Sequence, residues 1–168
     1  MISMLVKRVT SGTLAPMSII HTMPGHLIRR LNQISIGLFQ DRMAALGHDL
    51  TPVQFAALAT LRDRPDVDQA TLAGLIAHDR TTIGGVLDRL QAKGLIDRRP
   101  HPTDRRARQV RLTAAGAALL AAVLPQVAAL QDDILRGLSA DERATFVRLA
   151  ARLAEAGNDL SRAPLVAD

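Results

Sequence analysis

The chain has 168 residues, 48% hydrophobic and 22% charged, and only three Phe with no Trp or Tyr, which points to one compact helical domain and away from a sheet sandwich. It contains no cysteine, so disulfides, thiolate zinc sites and thiol-based redox sensing are excluded. The net charge of +5 is concentrated: residues 76–113 hold nine Lys/Arg against four Asp/Glu, whereas the remainder carries twelve of each. A surplus focused in this way attracts polyanions.

Residues 1–22 lack periodicity and include Gly12 and Pro16; they are expected to form a flexible N-terminal arm, in which Met17 offers a second start of translation. Lys7 and Arg8 interrupt the first apolar stretch, so no export signal is read and a cytoplasmic location is expected. From Pro24 to Leu46, apolar residues recur at Leu27, Leu31, Ile34, Leu38 and Ala45, the spacing of a helix closed by Gly47. Ile28, Ile36, Phe39 and Met43 widen that stripe, so the helix is expected to serve its own core and a second subunit. Thr51 as N-cap and Pro52 at the first position open another helix through Phe55, Leu58 and Leu61. Asp68 is placed to cap a short helix, 69-QATLAGLIA-77. After a break at His78-Asp79, the stretch 80-RTTIGGVLDRLQAKG-94 sets Ile83, Val86, Leu87 and Leu90 on one stripe. Arg80, Thr81, Thr82, Gly85, Asp88 and Arg89 lie off it, and Gly94 is a C′ glycine.

Two short runs, 95-LIDRR-99 and 109-QVRLT-113, alternate with the period of a strand around the turn-rich 100-PHPTDRR-106, giving a hairpin with a basic tip. From Thr113 an alanine-rich helix is expected to reach about Leu135, with a kink at Pro125. Its apolar run 114-AAGAALLAAVL-124 is too short to cross a bilayer before that proline, so no membrane role is expected. The capping box 139-SADE-142 opens a last amphipathic helix through Phe146, Leu149 and Leu153, and residues 161–168 are expected to fray.

Helix, short turn, helix and two-stranded hairpin follow one another in the order of a winged helix-turn-helix. A helix about 10–12 Å across fits the major groove of B-DNA if its outward face is free of bulk and able to hydrogen-bond, as residues 80–89 are. Gly84 and Gly85 each cost a helix roughly 1 kcal/mol, which points either to a poorly optimised surface or to close backbone approach, to DNA or to the preceding helix. Arg105 or Arg106 on the narrow tip can enter a minor groove while Asp104 pairs with the other. Arg98, Arg99, Arg108 and Arg111, on or beside the strands, are then available to flanking phosphates.

The segment 69-QATLAGLIAHDRTTIGGVLDRLQAKGLIDRRPHPTDRRARQVRLTAAG-116 resembles the MarR family of bacterial transcriptional regulators. It has Leu72-Ala73 in the first motif helix, Thr81-Thr82 opening the recognition helix and LxxxGLIxR from Leu90 to Arg98. Asp104-Arg105-Arg106 follow in the wing, then LTxxG from Leu112 to Gly116. The resemblance implies a mainly α fold with a small β-hairpin wing. The winged helix-turn-helix lies at about 51–113 within a domain of 23–160, and helices over 24–47 and 113–160 interleave into a homodimer. It further implies a repressor bound to a pseudo-palindromic DNA operator and released by a small aromatic acid. More distantly, 24-PGHLIRRLNQIS-35 resembles the branch that regulates nicotinate degradation. For a carboxylate-bearing ring the candidates are His21, His26, Arg30, Gln33 and Ser35, with Asn32 and His48 nearby.

No Gly-rich phosphate loop, G-x-S-x-G or H-E-x-x-H is present, so neither an enzyme nor a cofactor is expected, and the five histidines are too scattered for a metal motif. The competing reading is a winged helix used for protein contacts without DNA. The concentration of cations around the hairpin argues against it.

Overall fold

The computed structural model describes residues 18–100, 103 and 108–166; Asp104, Arg105 and Arg106 of the predicted wing tip and most of the predicted arm lie outside them. Along the chain come α1 (Pro24–Ala45), α2 (Pro52–Asp63), β1 (Val67–Asp68), α3 (Gln69–Leu75), α4 (Ile83–Ala92), β2 (Ile96–Pro100), β3 (Arg108–Leu112), α5 (Ala114–Ile134) and α6 (Ala140–Ala156). Ahead of α1, residues Ile19–Thr22, assigned from the sequence to the arm, form a 3-10 turn. The fold is mainly helical, with the small sheet of a winged helix.

Local chemistry sets most of the boundaries. Thr51 Oγ1 accepts the Gln54 N–H at 3.3 Å while the Gln54 side chain accepts the Thr51 N–H at 3.1 Å, so the one buried polar residue among those described has its side-chain amide oxygen engaged in a helix cap. The same reciprocal box joins Ser139 and Glu142 at the start of α6. Asp68 accepts from the Ala70 and Thr71 N–H groups at 2.8 and 3.0 Å and caps α3 as expected. It also belongs to a strand that the sequence does not announce. β1 pairs antiparallel with β3, Val67 opposite Val110, so the sheet has three strands in the order β1-β3-β2. Two residues are too few to show a period.

The core is continuous from the winged-helix lobe into the long helices. Leu58 and Leu61 of α2, Leu72 of α3, Ile83, Leu87 and Leu90 of α4 and Val110 of β3 meet Leu120, Val123, Val127 and Leu130 of α5. α5 runs unbroken through Pro125, so it is longer than the apolar run measured to that proline suggests. Pro125 and Ala121, whose carbonyl loses its donor, are both exposed, and water can satisfy that carbonyl. By length and composition alone α5 could therefore cross a membrane. Its apolar side is instead taken up by α1 and α2.

Gly116 explains the LTxxG motif. A Cβ there would stand 2.0 Å from the Leu95 carbonyl oxygen. That carbonyl accepts the Thr113 N–H at 3.1 Å, and Thr113 Oγ1 donates to Gly94 O at 2.7 Å and accepts from Gly116 N at 3.0 Å. The start of α5 is thus locked to the root of the hairpin. Gly94, at φ +69°, makes the left-handed turn that begins that root.

α1 buries Phe39 and Met43 but leaves Leu27, Ile28, Leu31 and Ile34 at least 40% exposed. α6 buries nothing, with Val147 and Leu153 more than half exposed. Between them lies an apolar cleft of about 660 Å³ lined by residues including Ile28, Leu31, Ser35, Phe146, Leu149 and Leu153. Residues 161–166, expected to fray, return to α3. Asn158 clasps both backbone groups of Leu165, and the Val166 N–H donates to Gly74 O at 3.0 Å.

Candidate nucleic-acid interface

α4 starts three residues later than its sequence suggests. Arg80, Thr81 and Thr82 form a turn ahead of the helix, organised by Asp79. The Asp79 carboxylate accepts from Thr81 N at 2.7 Å and Thr81 Oγ1 at 2.5 Å, and its carbonyl accepts from Ile83 N at 3.0 Å. Hydrogen bonds from the Thr81 hydroxyl and then its N–H hold the Asp79 carboxyl below the ordinary carboxylate range. Read from the sequence as a break, Asp79 is the residue that ties together the turn between α3 and α4. The pattern Asp-x-Thr before an apolar run is the signal that could have identified it.

Ile83, Leu87 and Leu90 are wholly buried, and at about 100° per residue Gly85, Asp88, Arg89 and Ala92 fall on the opposite side, all exposed. A Cβ on Gly85 would meet nothing within 4 Å, and one on Gly84 would make only an ordinary 3.6 Å contact with the Gln69 amide. Packing within the chain therefore demands neither glycine, and close approach to the preceding helix is removed as their reason. The outward face of α4 is open, with Gly85 and Ala92 baring the helix surface beside Asp88 and Arg89.

The predicted cations divide into two sets. Arg80, Arg89 and Arg108 are exposed and form no ion pair among the described residues. Arg98, expected to reach phosphate, is held instead: its side chain is 14% exposed and its guanidinium is bound to Asp88, tying β2 to the outward face of α4. Arg111 forks onto Asp66 at 2.8 and 2.5 Å, bracing β3 against the turn before β1. Arg99 is exposed and pairs with Asp97 at 2.9 Å. Two of the hairpin arginines thus position the sheet and α4. The free charge is presented on the α4 face, the turn before it and the outer end of β3.

Residues 50–107 match the MarR family. The transcriptional repressor NicR of Pseudomonas putida is 37% identical over 129 residues, 77% of this chain and 80% of NicR. The chain belongs to the MarR family. It is accordingly a DNA-binding transcriptional regulator with a winged helix-turn-helix. Among solved MarR-family structures, Bordetella bronchiseptica BpsR, whose DNA binding is regulated by 6-hydroxynicotinic acid, is 30% identical. It has a TM-score of 0.76 and covers 84% of this chain and 99% of its own. A variant of Escherichia coli MarR in complex with operator DNA is 31% identical, with a TM-score of 0.72 over 79% of this chain and 95% of its own.

The candidate ligand residues of this MarR-family chain fall into two groups. His21 and His26 pack edge to face with ring centroids 5.3 Å apart, and Arg30 projects from the next turn of α1. His26 Nε2 is buried with no hydrogen-bond partner among the described residues. Burial lowers the His26 pKa from its ordinary value, and the charges of Arg29, His21 and Arg30 lower it further. Gln33 shares this side but accepts from Arg29 at 2.8 Å. Ser35 is nine residues beyond His26, about half a turn away around the helix, and with Asn32 it lines the apolar cleft against α6. The structure therefore brings His21, His26 and Arg30 together and separates Ser35 from them. His48, half-buried beyond α1, belongs to neither group.

Proposed function

We propose that this regulator is a homodimeric repressor acting in the cytoplasm, that it binds a pseudo-palindromic operator, and that a small aromatic carboxylate releases it. The observation that carries the reading is the pairing of an open α4 face with apolar α1 and α6 faces left exposed among the described residues. A second copy packed on those faces would hide them and set two α4 helices about 34 Å apart, one turn of DNA. Arg80, Arg89 and Arg108, with Arg105 and Arg106 of the wing sequence and Asp104 beside them, supply phosphate and minor-groove contacts.

The effector reading rests on His26 Nε2, which has no hydrogen-bond partner among the described residues and lies among His21, Arg29 and Arg30, a cationic setting that suits a carboxylate next to a ring. The regulation of BpsR by 6-hydroxynicotinic acid supports a hydroxylated pyridine carboxylate, and so does the likeness of this chain to NicR. A winged helix reserved for protein contacts would have no use for the exposed cations on and around α4 that form no ion pair among the described residues.

Mobility shift on the DNA upstream of the chain's own gene tests the reading. Binding is expected to weaken steeply with salt and to be lost when 6-hydroxynicotinate is added. His26→Ala and Arg30→Ala are expected to keep DNA binding and blunt the release. Release unchanged in both variants removes the proposed pocket, and salt-insensitive binding removes the DNA contacts assigned above.

A further inference from the structure

The segment beyond α6 brings another cation to the start of α4. Asn158 Oδ1 accepts the Leu165 N–H at 2.7 Å and its Nδ2 donates to Leu165 O at 2.9 Å, closing a compact loop. One residue on, Val166 is fastened to α3. Its N–H donates to Gly74 O at 3.0 Å, and its Cγ2 sits where a Cβ on Gly74 would come within 2.7 Å. Gly74 is buried, so the bare backbone there is the seat for Val166. Two anchors thus hold the intervening residues against the helix-turn-helix.

Between the anchors, Arg162, Ala163 and Pro164 wall a cleft of about 370 Å³ whose other side includes His78, Arg80 and Thr81. Among the described residues Asp79 is the only acid lining it, and its carboxylate is engaged by the Thr81 N–H and hydroxyl. Arg80 and Arg162 form no ion pair among the described residues, although both line this cleft. Two arginines against one carboxylate leave this cleft with a net positive charge among the described residues, and a bound anion offsets that excess. The cleft borders the turn that leads into α4, where a helix lying in the major groove meets the adjoining sugar–phosphate backbone.

We propose that residues 161–166 are part of the DNA-binding face and that Arg162, together with Arg80, grips a backbone phosphate beside the groove occupied by α4. The proposal rests on the DNA-binding reading of α4 and adds to it a contact from outside the winged helix. A phosphate in this position is bound equally well in any sequence, so Arg162 contributes affinity and register without base discrimination.

Fluorescence anisotropy of the full chain on operator duplex across a salt series tests it. Arg162→Ala is expected to weaken binding roughly threefold to tenfold and to reduce the slope of log affinity against log salt by about one per protomer. Gly74→Ala, whose methyl displaces Val166, and Val166→Gly, which loosens the same anchor without touching α3, are expected to show a similar loss. Neither should weaken Arg162→Ala further. Arg152→Ala, which removes an exposed charge of α6 outside the cleft, is expected to stay within about twofold of the parent. Arg162→Ala with unchanged affinity and slope, or with no greater loss than Arg152→Ala, overturns the proposal. If Arg89→Ala weakens binding in the same assay, the α4 reading survives that result. A parent chain that binds no duplex overturns both. Inorganic phosphate is the remaining arm: a melting-point rise with phosphate that Arg162→Ala abolishes, alongside undiminished DNA binding by that variant, assigns the cleft to a free anion and also overturns the proposal.

Discussion

Replacing Gly85 with alanine separates folding from binding, because the two are expected to move in opposite directions. Gly85 lies within α4, on the face away from Ile83, Leu87 and Leu90, and a methyl group there touches nothing within 4 Å. Alanine is favoured over glycine inside a helix by roughly 0.8–1.0 kcal/mol, and with no clash to offset it that gain appears in the folded state. For a chain of this length, about 1 kcal/mol corresponds to a rise in Tm of roughly 2–4 °C. In the groove the same methyl stands between the α4 backbone and the base edges, so affinity for operator duplex is expected to fall by about tenfold, or ~1.4 kcal/mol. Calorimetry and anisotropy on the same preparation measure the two effects. A variant that melts higher and binds DNA as tightly as the parent would show that the α4 backbone does not approach the duplex closely at this point. A variant that does not melt higher would refute the placement of Gly85 in open space.

The other predictions follow from single contacts. Gly116→Ala drives a methyl to 2.0 Å from the Leu95 carbonyl, and thermal melting is expected to report a loss of about 3 kcal/mol or more, since backbone rather than a flexible side chain must move. Arg98→Ala leaves Asp88 unpaired on the DNA side of α4, so affinity is expected to drop, and Asp88→Asn added to it is expected to recover most of the loss; recovery that fails in the double variant would make Arg98 a direct phosphate ligand. The His26 pKa is lowered in the folded chain, so the unfolded chain takes up the proton first as pH falls. His26 therefore contributes stability above its ordinary pKa that is lost as pH falls toward the folded value. A bound carboxylate reverses the bias by favouring the charged ring, so titration with 6-hydroxynicotinate is expected to tighten from pH 8 to pH 6, and His26→Gln is expected to flatten that dependence.

The features legible in the sequence are those whose causes are local. Thr51 and Gln54, Asp68, Ser139 and Glu142 announce their caps because both partners of each bond lie within three residues. The excess apolar surface of α1 and α6 is equally plain, since a stripe too wide for one core can be counted along the chain. Features made by distant pairing were hidden. Arg111 reads as a phosphate ligand until Asp66, 45 residues away, is found to hold it, and Arg98 until Asp88 is found beneath it. β1 is too short to have a period and is defined only by its pairing with β3, Val67 opposite Val110. Residues 161–166 look like a loose tail because neither Asn158 nor Gly74 carries any mark of the bond it makes. The grouping of Ser35 with His26 is a different failure, because the helical angle between positions nine apart already sets them on opposite sides.

The central claim, that two copies present their α4 helices to successive turns of one duplex, is tested most directly by selecting binding sites from a random-sequence duplex pool with the purified chain and footprinting the product. The selection is expected to enrich an inverted repeat with half-sites about 10 base pairs apart, each protected on the same face of the duplex. Recovery of a single unrepeated half-site, or of no preferred sequence at all, would contradict it.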